Sequence, residues 1–101
     1  MTYRVEVEAN THAKIREYIR YLAIEQQAPQ AAELMLRRIW DAIDSLETFP
    51  GRCPLAPENE FREPEIRMRL VGPCLILFTK DEESSLVTII GFRHGRALPE
   101  V

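Results

Sequence analysis

The stretch that decides the fold lies at residues 74–94 and reads CLILFTKDEESSLVTIIGFRH. Residues 74–80 are nearly all apolar, which is typical of a central strand covered on both faces. Residues 81–85 are polar and predict a turn, and residues 86–94 are rich in β-branched side chains and predict another strand. The stretch therefore predicts two strands joined by a polar turn, with the first of them in the middle of a sheet.

Two further segments alternate in the manner of strands. From residue 66 to residue 71, apolar side chains at even positions alternate with Arg67, Arg69 and a valine, and Gly72-Pro73 then predicts a turn. Near the N-terminus, Tyr3 and two valines fall on one side of residues 3–8 while charged residues fall on the other. This pattern predicts a half-buried strand at residues 3–8.

The residues between these strands predict two amphipathic helices. Asn10 or Thr11 is expected to cap the first helix, which should stop near Gln27 because Pro29 disfavours helical geometry at the residue before it. Pro29 suits the first position of the second helix. The apolar seam of the first helix is Ile15, Tyr18, Ile19 and Leu22, and that of the second is Ala32, Leu36, Ile39, Ile43 and Leu46.

The second helix is expected to end at Pro50-Gly51, and further prolines predict an irregular loop up to residue 65. Two helices with so short a break between them predict an antiparallel helical hairpin. The order is β-α-α-β-β-β, so we expect an α+β fold in which the hairpin packs on one face of a small, largely antiparallel sheet. Residues 1–101 are read as a single domain.

The composition narrows the class of protein. Hydrophobic residues make up 46% of the 101 positions and charged residues 29%, which excludes a disordered chain. No apolar run approaches the ~20 residues of a membrane span, and the N-terminus has no signal-peptide core. We expect a cytoplasmic domain in which Cys53 and Cys74 stay reduced. The spacing of cysteines and histidines predicts neither a metal nor a cofactor site.

Several weak motifs occur together in one order along the chain. They are, in sequence, Asn10-x-x-Ala13, Ala32, Leu46-x-x-x-Pro50, Arg67 or Arg69, Phe78, and Phe92-Arg93-His94-Gly95-Arg96. Their order and spacing resemble the RelE/ParE superfamily of toxins from bacterial type II toxin–antitoxin systems, which include plasmid stabilisation systems. The closing His-Gly-Arg is similar to the ParE-like branch. The similarity extends over nearly the whole chain.

The resemblance implies one of two activities. RelE-like toxins cleave mRNA in the ribosomal A site, whereas ParE-like toxins inhibit DNA gyrase. Cleavage of RNA by attack of its 2′-hydroxyl needs a general base, a general acid for the leaving oxygen and a cation that stabilises the phosphorane. RelE-like toxins have an arginine in the third strand, a basic loop and a C-terminal Tyr or Arg. In this sequence Cys74 stands in place of that arginine, no Tyr follows Phe92, and residues 57–65 hold four Glu against one Arg.

We therefore expect a gyrase inhibitor that is not an enzyme. The resemblance also implies a co-encoded antitoxin, ParD-like with a ribbon-helix-helix domain, in a hetero-oligomer with the toxin, and no direct contact with nucleic acid or membrane. A RelE-like, ribosome-dependent mRNA endonuclease is the alternative. A homologue that binds its antitoxin but has lost toxicity is a second alternative.

The candidate residues for binding the antitoxin or the target are Arg67, Arg69, Arg93, His94 and Arg96. In the endonuclease alternative the same residues form the active site. Arg67 and Arg69 point to one strand face, which is either a solvated sheet face or a cationic patch for a target or an acidic antitoxin. His94 is a candidate general base, but without a positioned nucleophile a structural or interface role is favoured. No catalytic residue is predicted.

Overall fold

The computed structural model describes residues 2–61 and 65–95. Within them the elements follow the predicted order β-α-α-β-β-β. They are β1 (Arg4–Val7), α1 (Ala9–Arg20), α2 (Pro29–Asp44), β2 (Arg67–Val71), β3 (Cys74–Asp81) and β4 (Leu86–His94). The fold class is confirmed as α+β, and β4 has the bounds that its sequence predicted.

The four strands form one mixed sheet in the order β1-β4-β3-β2. β2 pairs antiparallel with β3, and β3 antiparallel with β4. β1 runs parallel to β4, from Arg4 opposite Leu86 to Val7 opposite Ile89. The β3–β4 ladder is interrupted where Leu77 faces Gly91 and Phe78 faces Ile89, so Ile90 is an extra, bulged residue. The two apolar strands of residues 74–94 therefore occupy the centre of the sheet.

The first helix begins earlier than its sequence predicted. Its N-cap is Glu8, whose backbone is extended and whose carbonyl accepts hydrogen bonds from the amides of Thr11 and His12, both at 3.0 Å. The predicted cap at Asn10 or Thr11 is wrong. Thr11 is fully buried and turns its hydroxyl to the carbonyl of Ile89 in β4, so the side chain joins helix to sheet instead of capping the helix.

The connection between the helices lies close to where it was predicted. One wide helical turn, Tyr21–Glu25, follows α1. Gln27 then has a positive φ of 51°, and Pro29 opens α2 as its first residue. α2 ends at Asp44 and continues as a tight 3₁₀ turn, Ser45–Glu47, so the helix stops before the predicted Pro50-Gly51.

Apolar side chains cover both faces of the sheet. The helical hairpin packs on one face and forms the main core, which includes Ile15, Ile39, Ile76, Phe78 and Ile89. On the opposite face a smaller cluster gathers Ala56, Ile66 and Leu77 with the partly buried Met68 and Ile90. β3 is accordingly covered on both sides, as its composition predicted. No helix in the described part of the chain is long and apolar enough to span a membrane.

Candidate functional site

The predicted site residues do not form one cluster. Arg67 and Arg69 lie opposite Phe78 and Ile76 of the main core, so both arginines point toward the helical face of the sheet. Arg93 lies opposite Leu75 and on the other face. His94 pairs with Cys74 at the exposed end of β4 and points back toward the helical side. Arg96 is outside the described residues.

Arg67 ties β2 to the loop that follows α2. Its Nη1 donates to the carbonyls of Cys53 at 2.6 Å and Gly51 at 3.3 Å, and its Nη2 lies 3.4 Å from a carboxylate oxygen of Glu65. The side chain is only 20% exposed. This guanidinium therefore holds the loop in place. Its role is structural and matches neither of the two alternatives given above for Arg67, a solvated sheet face or a cationic patch.

Arg69 lines a groove between α2 and β2. The groove encloses about 380 Å³, and Arg38 and Asp41 of α2 form its opposite wall. Arg69 donates to the carbonyl of Leu70 at 3.1 Å, while its buried Nε has no hydrogen-bond partner among the described residues. The groove is lined by two arginines, Arg38 and Arg69, and by one carboxylate, Asp41. Its net charge is therefore positive and favours an acidic ligand.

Within residues 2–61 and 65–95, the outer edge of β2 is covered along only part of its length. The segment before it pairs with the beginning of the strand, where the Ala56 amide donates to Ile66 at 2.8 Å and the Met68 amide to Pro54 at 3.0 Å. Leu70, the next residue with its backbone turned outward, lies beyond this segment and is 58% exposed. An uncovered strand edge is a template for pairing with another chain.

A largely buried ion pair joins Arg93 to Glu58, the buried charged residue of the described chain. Arg93 Nε lies 2.8 Å from Glu58 Oε2 and Arg93 Nη2 lies 3.3 Å from Glu58 Oε1, in a two-pronged arrangement. The two side chains are 12% and 3% exposed. Burial acts to raise the pKa of Glu58, but the hydrogen bond and charge of Arg93 and a backbone hydrogen bond outweigh it, so this pKa is lowered.

A pocket of about 240 Å³ opens beside this ion pair. Its floor is apolar and includes Leu77, Ile90 and Gly91, while Glu8 contributes from the N-cap of the first helix and Lys14 from the middle of that helix. Gly91 shapes the floor, because a Cβ there would come within 3.0 Å of Leu77 Cδ1. Sequence reasoning missed Glu58 and Lys14 altogether, since nothing local marks Glu58 as the partner of a residue 35 positions away.

Cys74, which the resemblance puts in place of the RelE-like arginine, is fully buried against Tyr18. Burial raises the pKa of its thiol, and a hydrogen bond from Tyr18 lowers it by less. The pKa of Tyr18 is raised to about 12, first by burial and then by Cys74. A protonated thiol is a poor nucleophile, so this part of β3 offers neither an activated nucleophile nor a cation.

The comparison with known proteins agrees with the geometry. The family model that matches is the ParE toxin of the type II toxin–antitoxin system parDE, over residues 5–99. A solved structure with the same fold is the crystal structure of the archaeal RelE–RelB complex from Pyrococcus horikoshii OT3, with a TM-score of 0.61 and 19% identity over 96% of this chain and 100% of that chain. No curated protein matches the sequence.

The fold is thus that of the RelE/ParE superfamily of toxins. The chain belongs to the ParE toxin family of type II toxin–antitoxin systems.

Proposed function

We propose that this toxin inhibits DNA gyrase and does not cleave RNA. The observation that carries the proposal is the Glu58–Arg93 pair: the Arg93 cation, on the sheet face opposite the helices, is already neutralised by a carboxylate of the same chain. The start of β3 supplies no second cation, because Cys74, which the resemblance puts in place of the RelE-like arginine, is buried there as a thiol. Loss of one contact that stabilises a transition-state anion commonly costs ~3 kcal/mol, about a hundredfold in rate.

A gyrase supercoiling assay with the purified protein tests this proposal, together with primer-extension mapping of transcripts from induced cells. We expect supercoiling to be inhibited while transcripts stay intact. The complex with the antitoxin is the control and should leave gyrase active. Unimpaired gyrase with codon-phased cuts in mRNA would establish the endonuclease alternative instead. Unimpaired gyrase with intact mRNA would support a homologue that has lost toxicity.

The antitoxin is proposed to dock on the groove between α2 and β2, in the cytoplasm where it is made. Two features support this site. No backbone segment of the described residues pairs with the outer edge of β2 at Leu70, where only the Arg69 side chain donates to the carbonyl, so an extended segment can add there. Arg38 and Arg69 supply positive charge on either side of the groove. An antitoxin segment that is extended, apolar on one side and acidic on the other fits these features.

Two adjacent arginines of α2 provide a matched test of this site. Arg38 lines the groove, whereas Arg37 lies outside it and pairs with Glu33 on the exposed helix surface. We expect Arg38→Glu to weaken co-purification of the product of the adjacent open reading frame, and Arg37→Glu to leave it unchanged. Equal effects of the two variants would contradict the proposed site. A toxin that never retains that product would contradict the partnership itself.

A further inference from the structure

The outer face of α1 carries two neighbouring rows of exposed side chains, which continue into the wide turn after the helix. One row is Arg16, Arg20 and Ile24, and the other is Glu17, Tyr21 and Glu25. Members of one row are four residues apart, the spacing at which side chains lie one above another on a helix. The two rows together are the outer face of α1.

Two large apolar side chains stand at the end of the outer face that joins the wide turn. Tyr21 is 47% exposed and Ile24 is 61% exposed. A groove of about 410 Å³ is lined by members of both rows. Gln26 donates from its Nε2 to the Tyr21 hydroxyl at 2.9 Å, so the ring is held in place while it stays exposed. Covering this apolar surface with a partner is favourable.

The charges of the outer face are sorted by row. Arg16 and Arg20 stand in one row and Glu17 and Glu25 in the other, so positive and negative charges run side by side and are equal in number. Within residues 2–61 and 65–95 none of the four forms an ion pair. Lys14 belongs to neither row and lines the 240 Å³ pocket instead. The four charges are therefore available to a partner.

A second copy of the chain matches this pattern in one orientation. When two identical helices pack about a two-fold axis parallel to them, each side of one helix face meets the opposite side of the other. The basic row of each copy then faces the acidic row of the other. Arg20 meets Glu17 of the second copy, Ile24 meets its Tyr21, and the symmetry makes each contact twice. An antiparallel pair would instead bring like rows together, which is unfavourable.

A partner of uniform charge does not match the outer face. An acidic segment or a nucleic-acid backbone is attracted by Arg16 and Arg20 but repelled by the adjacent row with Glu17 and Glu25. The groove proposed for the antitoxin is lined by residues of α2 and β2 and by none of the outer face. A second copy on α1 therefore leaves that groove free.

The geometry points to a parallel two-fold contact between two copies of this chain, made by the outer faces of their α1 helices. The inference goes beyond the proposed function and does not depend on gyrase. Six residues are few against the roughly 20–30 per side of a stable complex. We therefore expect a weak dimer, with a dissociation constant of about 0.1 mM.

Sedimentation equilibrium of the full chain tests the contact, over about a hundredfold range of protein concentration around that value. Arg20→Glu and Glu17→Arg each place like charges opposite one another at both symmetric contacts. We expect each variant to weaken dimerisation about tenfold. Arg37→Glu is the matched control and should dimerise as wild type does, since Arg37 is exposed on α2 and pairs with Glu33.

The double variant Arg20→Glu/Glu17→Arg exchanges the two charges between the rows and makes them opposite again. We expect it to dimerise about threefold more tightly than either single variant, because residues in contact have non-additive effects. A double variant weaker than both single variants would exclude the contact between Arg20 and Glu17. All the replaced side chains are exposed, so the fold does not depend on them.

Salt dependence gives a second measurement that needs no variant. Dimerisation of wild type should weaken as sodium chloride is raised toward about 1 M, because salt screens exposed ion pairs. Dimerisation that strengthens with salt would contradict the pairing of the rows.

Three further results would overturn the inference. They are a chain that stays monomeric throughout the range, dimers that Arg20→Glu leaves unchanged, and dimers that Arg20→Glu strengthens, as an antiparallel pair requires. Loss of the antitoxin from Arg20→Glu would assign the outer face to the antitoxin instead of a second copy. None of these measurements involves gyrase or RNA, so failure here and failure of the proposed function are distinguishable.

Discussion

Arg67 Nη1 and the carbonyl oxygen of Cys53 lie 2.6 Å apart, and this contact joins the beginning of β2 to the loop that follows α2. The same nitrogen also donates to Gly51. The loop is irregular and lies over the main core, to which Cys53 belongs. Its backbone carbonyls therefore need donors from outside the loop, and Arg67 supplies them. An arginine that sequence reasoning offered as a binding residue is thus part of the packing.

Replacing Arg67 should consequently reduce stability. We expect Arg67→Ala to lower the free energy of unfolding by about 2 kcal/mol, since it leaves two loop carbonyls without their donor. Arg37→Ala is the control and should change it by less than ~0.5 kcal/mol, because its pair with Glu33 is exposed. Urea denaturation followed by circular dichroism measures both values. Equal midpoints for the two variants would contradict the structural role of Arg67.

Removing the charge of Glu58 should destabilise the fold in a pH-dependent way. Glu58→Gln removes the carboxylate that pairs with the largely buried Arg93, at a cost of about 3 kcal/mol near neutral pH. The pKa of Glu58 is lowered from 4.5 in the folded protein, so its contribution is complete above that value and is lost as pH falls below it. The difference in the free energy of unfolding between wild type and Glu58→Gln should therefore become smaller as the pH falls. A gap that stays constant across this range would refute the pairing.

Tyr18 should ionise late in an alkaline titration. Its pKa is raised to about 12, first because it is partly buried and then because it is hydrogen-bonded to Cys74. The unfolded phenol ionises at about 10, so the stabilisation from Tyr18 is complete below that pH and declines as pH rises toward the folded value. Tyrosinate absorbance followed against pH should show the late step in wild type. Its persistence in Tyr18→Phe would assign it to another tyrosine.

The two cysteines should react only after unfolding. Cys53 and Cys74 are 6% and 0% exposed and are free thiols in the structure. A thiol-reactive dye should label neither at an appreciable rate in the native protein, since the reagent has no access. In denaturant without reductant the count should rise to two per chain, the number of cysteines in the sequence. A count of zero in cytosol-expressed protein would show a disulfide.

The local patterns of the chain were enough to predict its elements. Alternation at residues 66–71 and the apolar run at residues 74–80 predicted β2 and β3 because strand faces repeat every two residues. Pro29 marked the start of α2 because its fixed φ suits that position. The predicted N-cap of the first helix was wrong, because the Thr11 hydroxyl donates to the carbonyl of Ile89, which lies 78 residues further along the chain. A contact over such a distance leaves no local trace.

The sequence by itself determined the class of fold, the family and the sequence of elements, because each depends on short-range periodicity or on motif order. Only the tertiary structure decided what the charged residues do. It placed Arg67 against loop carbonyls, set Arg69 in a groove, and paired Arg93 with Glu58 on the opposite face. The physical reason is that an arginine side chain is long and flexible, so its guanidinium donates to whichever acceptor the fold places within reach. The choice of acceptor therefore belongs to the packing of distant segments rather than to the residues beside it in the chain.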